Sequence, residues 1–345
     1  MNTDWRMASR DCLLEWRDAQ LQSVSPKTGE PYSPNTVRVR MLYVLRFVDY
    51  ATAQGWYDGT IPVDPATRLH YSSIDDDPLA HTRKGASVTA SQRNKLLPKN
   101  KDTDVVDILR RSELAALFAQ VGPRPTERDP TNPATARDWL VLGIPAFTGL
   151  RKSELLSLTV HPFQAIVVDQ DKPFLSYDIT VLGKGNKTRA VSFPGWLVSD
   201  IQTYIHSERA RAVNKRRKRE SQLLLVQDTH PRSGQPLKVG GVNDIVERTM
   251  VAAGLVAEKL VLDPDTGERT IRSAPRYSIH SLRHTYAVHA YHAHRAAGET
   301  APWKLIQMQL GHKSPRTTME IYLKYVHLFN EKKADVDLLH LLDRG

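Results

Sequence analysis

The stretch FLSYDITVLGKGNKTRAVSF, residues 174–193, decides the fold class. Two runs rich in β-branched and aromatic residues flank Gly183-Lys184-Gly185-Asn186-Lys187. Strand side chains alternate faces with period two, and Gly and Asn supply the positive φ that a tight turn needs, so the stretch reads as a β-hairpin. AIVVD at 165–169 carries the same apolar signature and is expected to be a strand. On both sides the periodicity changes. Upstream, Ile108 to Val121 reads as a helix, residues 122–134 as a Pro-rich loop, and Thr135 as the cap of a more apolar helix running toward Phe147. Downstream the chain reads as helical, with a loop at 261–275. The expected class is therefore mainly α with a small antiparallel β-sheet (α+β).

Further from the hairpin, the N-terminal region is also helical. Residues 4–25 hold Trp5, Cys12, Leu13, Trp16 and Leu21 among polar positions. At 34–54 the signals are sharper: Ser33 is an N-cap, Pro34 takes the first helical position, and Gly55 closes the helix. Val37, Met41, Val44, Leu45, Val48 and Ala51 recur at three- and four-residue steps, with Arg38, Arg40 and Arg46 on the other faces. Residues 83–104 are polar and basic and lack periodicity, as a linker does. The expected organisation is a helical domain at 1–85, a basic linker at 86–104, a second domain at 105–330, and a tail helix at 331–345.

Charge narrows the function. The 345 residues carry 48 Lys plus Arg against 38 Asp plus Glu, a formal charge of +10, which favours an anionic partner such as nucleic acid. Arg38, Arg40 and Arg46 on the helix, and Lys84 and Lys95 in the linker, are candidate phosphate contacts. The run Lys215-Arg216-Arg217-Lys218-Arg219 fits a solvated helix end or a nucleic-acid contact. With Cys12 the single cysteine, an intramolecular disulfide and a Cys-based zinc site are excluded. No stretch reaches about 18 consecutive apolar residues, and the N-terminus lacks an apolar signal core, so a cytoplasmic, nucleoid-associated protein without a membrane span is expected.

Four short segments carry chemistry. TGLRKSEL (148–155) places Arg151 at the start of a helix with Glu154 one turn on. The hairpin turn presents Lys184. HSLRH (280–284) puts His280 and Arg283 on one helix face, with His284 beside His280. LGH (310–312) is followed by SPRTT (314–318) and Ile321-Tyr322, where Ser314 and Pro315 read as N-cap and N1 of a helix. Alone, each has an ordinary reading: a surface ion pair, a turn lysine, packed or solvated histidines, a half-buried tyrosine.

In this order they resemble the tyrosine recombinases, also called the phage-integrase family. TGLRKSEL is similar to that family's first-arginine box and GKGNKTR to its catalytic-lysine hairpin. HSLRH is similar to its HxxR box, and LGH with IY to its second-histidine and nucleophile boxes. The resemblance covers about residues 105–330, and the N-terminal helices are similar to the family's SAM-like core-binding domain. It implies a site-specific DNA recombinase or integrase that cuts and rejoins double-stranded DNA through a 3′-phosphotyrosyl intermediate, without metal, ATP or cofactor. Tyr322 is then the nucleophile, Arg151 and Arg283 grip the phosphate, Lys184 is the acid for the 5′-oxygen, His280 the base, and His312 a phosphate ligand. Glu154 anchors Arg151, and His284 helps hold the site together. The resemblance also implies a homo-tetramer on two DNA sites, assembled from monomers or weak oligomers.

Departures keep alternatives open. Many members place the tyrosine nine residues after the second histidine, whereas Tyr322 follows His312 by ten and Ile321 stands at nine. Tyr325, one turn on, is the rival nucleophile, and Lys187 the rival acid. His280 and His284 have metal-ligand spacing, but Ser281 stands where a zinc hydrolase's HExxH needs Glu, so no metal is expected. His289, His292 and His294 read as helix surface or core. A DNA-binding relative that no longer cuts, and a type IB topoisomerase-like enzyme, are the competing functions. The amphipathic tail EKKADVDLLHLLDRG (331–345) packs on its own domain or docks on a neighbouring subunit.

Overall fold

A computed structural model describes residues 4–25, 29–62, 95–98, 107–129, 135–183, 188–215, 221–262, 266 and 268–311. The chain divides into two compact units, one of residues 1–104 and 259–272, the other of 105–258 and 273–345.

In the first unit, helix α1 (Arg10–Gln22) starts where the Ser9 side chain accepts from the Cys12 N–H, and α2 (Pro34–Ala53) where Ser33 accepts from the Thr36 N–H. Each hydroxyl satisfies a donor that the first helical turn leaves over. Leu13 of α1 packs with Val37, Met41, Leu45, Val48 and Ala51 of α2, and Leu96 and Leu97 complete this small core. Arg46 is exposed, as an open polar face requires. Arg38 and Arg40, expected beside it, are half-buried: Arg38 donates to the Pro98 carbonyl, while Arg40 donates to Gln20 and stacks on the Tyr32 ring with its guanidinium carbon 3.9 Å from the ring centre. Long cationic side chains lay their stems on neighbouring apolar surface, and here both heads find partners inside the unit. Lys95 is exposed.

The second unit is built around a buried helix. Helix α3 (Arg111–Val121) precedes α4 (Ala136–Thr148), which Thr135 caps by accepting from the Asp138 N–H. Every residue of α4 is buried, as suits a helix apolar on nearly all sides. Phe118, Trp139, Phe147 and Trp196 form an aromatic cluster around it, with ring centres 4.8–6.4 Å apart. Short helices α5 (Lys152–Ser157) and α6 (His161–Gln164) follow. Strands β1 (Ser176–Leu182) and β2 (Thr188–Pro194) pair antiparallel in the register Ile179↔Val191 and Val181↔Arg189. Their inward face presents Ile179, Val181, Val191 and Phe193 to the core. Helix α7 (Gly195–Tyr204) continues through a π-helical turn into α8 (Ala210–Asn214), and α9 (Val239–Ala252), α10 (Ile279–Ala296) and α11 (Pro302–Leu310) follow.

Two expectations are corrected. AIVVD (165–169) is not a strand: it follows α6 as irregular chain, and Val167 is 91% exposed. An apolar run becomes a strand only when a neighbour completes its hydrogen bonds, and β1 pairs with β2 instead. The expected loop at 261–275 is a second two-stranded sheet, β3 (Val256–Leu262) and β4 (Arg269–Pro275). The sequence between the two strands, Asp263-Pro264-Asp265-Thr266-Gly267, is rich in turn-forming residues. The class remains mainly α, with two small sheets instead of one. No helix among the described residues is long and apolar enough to cross a membrane.

Candidate active site

The site gathers where α4, α5, α10, α11 and β2 end or begin. Helix α4 stops at Gly149, whose φ of +70° is the left-handed conformation that favours glycine. Space requires glycine too: a Cβ there would lie 2.5 Å from Leu310 Cδ2 and 2.6 Å from Tyr286 Cδ1. The turn delivers Arg151 as N-cap of α5. Glu154, one turn on, is 1% exposed and accepts from the Arg151 backbone N–H and from Arg151 Nη1, both at 2.9 Å. One carboxylate thereby caps the helix and aims the arginine it caps.

Arg283 reaches the same carboxylate from α10, with Nη1 4.0 Å from Glu154 Oε2 and the side chain 1% exposed. Its Nη1 donates to the Gly149 carbonyl, and its Nη2 to the Leu310 carbonyl at 2.7 Å. These carbonyls lie at the C-terminal ends of α4 and α11, where orphan acceptors and the helix dipole favour a cation. Arg283 thus ties three helices together, whereas the Arg151 side chain, 28% exposed, is the guanidinium open to solvent.

His280 sits in the first turn of α10, where Ser278 accepts from its backbone N–H. Its imidazole pKa is held below the ordinary value, chiefly by partial desolvation, then by the charges of Arg283 and Arg151. The His284 ring stands edge-on to it at 4.4 Å. No group of His, Cys, Asp and Glu that could hold a metal ion occurs among the described residues.

The structure therefore brings Arg151, Glu154, His280, Arg283 and His284 together from two distant segments. Lys184 and Lys187, His312, Tyr322 and Tyr325, the tail at 331–345 and Lys84 lie outside the described residues. Arg38, Arg40, Arg46 and Lys95 belong to the first unit. Two residues of the site escaped sequence reasoning. Gln309 donates from Nε2 to the Thr148 and Ser192 carbonyls at 3.1 and 3.0 Å, and its Oε1 accepts from the Ser192 N–H at 2.9 Å, joining α11 to α4 and β2. Arg189 of β2 donates to Glu154 Oε2 at 3.1 Å. Its signal was present: Arg189, Val191 and Phe193 share the inward parity of their strand.

Comparison with known proteins bears on the family. The pattern described as "Phage integrase family" matches residues 109–328. Tyrosine recombinase XerC of Staphylococcus aureus (strain MSSA476) is 29% identical over 248 residues, 70% of this chain and 64% of the relative. A second Staphylococcus aureus XerC is 30% identical over 231 residues, 66% of this chain and 58% of the relative. The chain thus spans less than two thirds of the length of these curated relatives. Among solved structures, the XerH site-specific recombinase bound to palindromic difH substrate in a post-cleavage complex shares the fold, with a TM-score of 0.54 at 18% identity over 94% of this chain and 71% of that one. The matched span contains every one of the four boxes, and within it Arg151 and Arg283 converge on the buried Glu154 carboxylate: the chain belongs to the phage integrase family.

Proposed function

We propose that the protein is a site-specific DNA recombinase that cuts and rejoins double-stranded DNA through a covalent phosphotyrosyl link. The observation that carries this reading is the convergence of Arg151 and Arg283 on Glu154, with His280 alongside. Two guanidinium groups on one carboxylate, with an imidazole alongside, suit a site that receives phosphate and stabilises the charge that builds on its oxygens. Arg151 is the open guanidinium and takes a non-bridging oxygen directly; a planar fork does this better than an ammonium. Arg283, buried beneath, adds its charge through a low-dielectric medium and keeps Gly149 and Leu310 in place.

Tyr322 is the nucleophile in this reading. Its phenolic oxygen attacks the phosphorus, the bond to the 5′-oxygen breaks, and the 3′-phosphate is left esterified to the tyrosine. The phenolic proton passes to His280, whose lowered pKa keeps it neutral and able to accept near pH 7. Lys184 gives its proton to the departing 5′-oxygen, and His312 hydrogen-bonds the phosphate. Rejoining reverses these steps and needs no ATP, because the phosphodiester energy is retained in the tyrosyl ester. Exchange of four strands calls for a tetramer on two sites.

The test uses a labelled library of randomised duplexes, each nicked so that the cut product diffuses away. The expected result is a covalent protein–DNA adduct on a denaturing gel, absent from Tyr322→Phe, whose trapped DNA defines the site on sequencing. An adduct that persists undiminished in Tyr322→Phe and vanishes in Tyr325→Phe moves the nucleophile one turn on. Specific binding with no adduct in the parent protein supports the non-cutting relative, and relaxation of supercoils without site preference supports the topoisomerase.

A further inference from the structure

Arg189 occupies a position that strand periodicity assigns to the core. On β2, Val191 and Phe193 point inward and are buried, while Thr188 and Ala190 are exposed. Arg189 has the inward parity, stands opposite the buried Val181, and is 15% exposed. A hydrocarbon side chain would fill this slot without the cost of desolvating a cation. One terminal nitrogen, Nη2, bonds Glu154 Oε2 at 3.1 Å. Nε and Nη1 are buried and have no hydrogen-bond partner among the described residues. Orphaned buried donors are rare in folded proteins and mark sites where something other than packing sets the residue.

The surroundings say what that is. Glu154 offers Oε1 to Arg151 and Oε2 to Arg189, with Arg283 4.0 Å from Oε2. Three guanidinium groups thus share one carboxylate, so the centre holds an excess of positive charge that favours an arriving anion. Burial and the Arg151 charge push the Arg189 pKa down, against the pull of Glu154. On its other side the guanidinium lies against Gly311: a Cβ there would stand 2.6 Å from Arg189 Nε and 2.7 Å from Cδ. Gly311 is also the left-handed cap of α11, with φ +65°, and it immediately precedes His312 in sequence.

We propose that Arg189 is a positioning residue of the reaction centre: it locks the Glu154 carboxylate that aims Arg151, and it seats Gly311 at the end of α11. The inference rests on the recombinase reading and deepens it. In this role Arg189 acts by holding the groups that meet the phosphate.

The test follows adduct formation on the nicked duplex that the parent protein selects. Arg189→Gln is expected to lower the cleavage rate constant about 10²-fold, the scale on which small misplacements of reacting groups act. Affinity for the same duplex, measured in a Tyr322→Phe background so that nothing is cut, stays unchanged. Arg189→Lys, which keeps charge and stem, falls between. The double variant Arg189→Gln/Glu154→Gln is expected to cleave no more slowly than the worse single variant, because both act through one carboxylate. A merely structural arginine gives multiplicative losses, and binding falls together with cleavage. Either of those results, or cleavage by Arg189→Gln at the parent rate, overturns the proposal. Should Arg189→Gln fail to fold, Arg189→Lys decides: a slowed cut with intact binding supports the role, and the parent rate rejects it. Absence of an adduct in the parent protein itself overturns the recombinase reading first, and the role of Arg189 with it.

Discussion

At the scale of single residues, burial decides what a polar side chain does. The resemblance gives Arg151 and Arg283 one shared role, gripping the phosphate, yet one is open and the other sealed beneath two helix ends. His289, one of several histidines on α10, is buried, and burial, with His292 and Arg111 adding to it, pushes its pKa down to about 4. In the unfolded chain it titrates near its ordinary value of about 6.5. Below that pH the unfolded chain binds the proton first, so stability falls as pH drops from about 6.5 to 4. The expected loss from this residue is about 2 kcal/mol by pH 5, since one pKa unit corresponds to about 1.4 kcal/mol. His289→Leu removes that component, so its denaturant midpoint should shift less between pH 7 and pH 5 than that of the parent. An equal shift in both proteins contradicts the assignment.

Among elements, the site depends on how a strand and three helix ends are fastened. Gln309 is central, because its amide bonds both backbone groups of Ser192 on β2 and the Thr148 carbonyl on α4. Gln309→Leu keeps the bulk and strands those buried groups without partners. The expected cost is about 2–3 kcal/mol of unfolding free energy, from the penalty for buried unpaired donors and acceptors, measured by urea denaturation. An undiminished midpoint would show that water or a neighbour replaces the amide. The hairpins teach a related lesson. β1 and β2 were legible because alternating runs flank a Gly/Asn turn; β3 and β4 were missed although Asp263-Pro264-Asp265-Thr266-Gly267 is as strong a turn signal. AIVVD failed for the opposite reason, an apolar run that no partner strand takes up.

At the scale of the whole molecule, the formal charge of +10 sets the expected response to salt. A protein that neutralises many phosphates releases their counterions, so its DNA affinity should fall about 10³-fold or more between low and moderate salt. Anisotropy titrations over that range check this, and a flat response rules out extensive backbone contact. What the sequence determined by itself was local: helix caps at Ser33 and Thr135, the apolar stripe of α2, the apolar character of α4, the first hairpin, and the boxes around Arg151 and Arg283. Caps and periodicities are read within one or two turns of chain, so they need no knowledge of distant partners. Only the tertiary structure decided that Glu154 serves three arginines, that Arg283 seals helix ends, and that Arg189 and Gln309 belong to the site. Those roles arise between residues far apart in sequence, through burial and hydrogen-bond satisfaction, and neither quantity exists until the chain is folded.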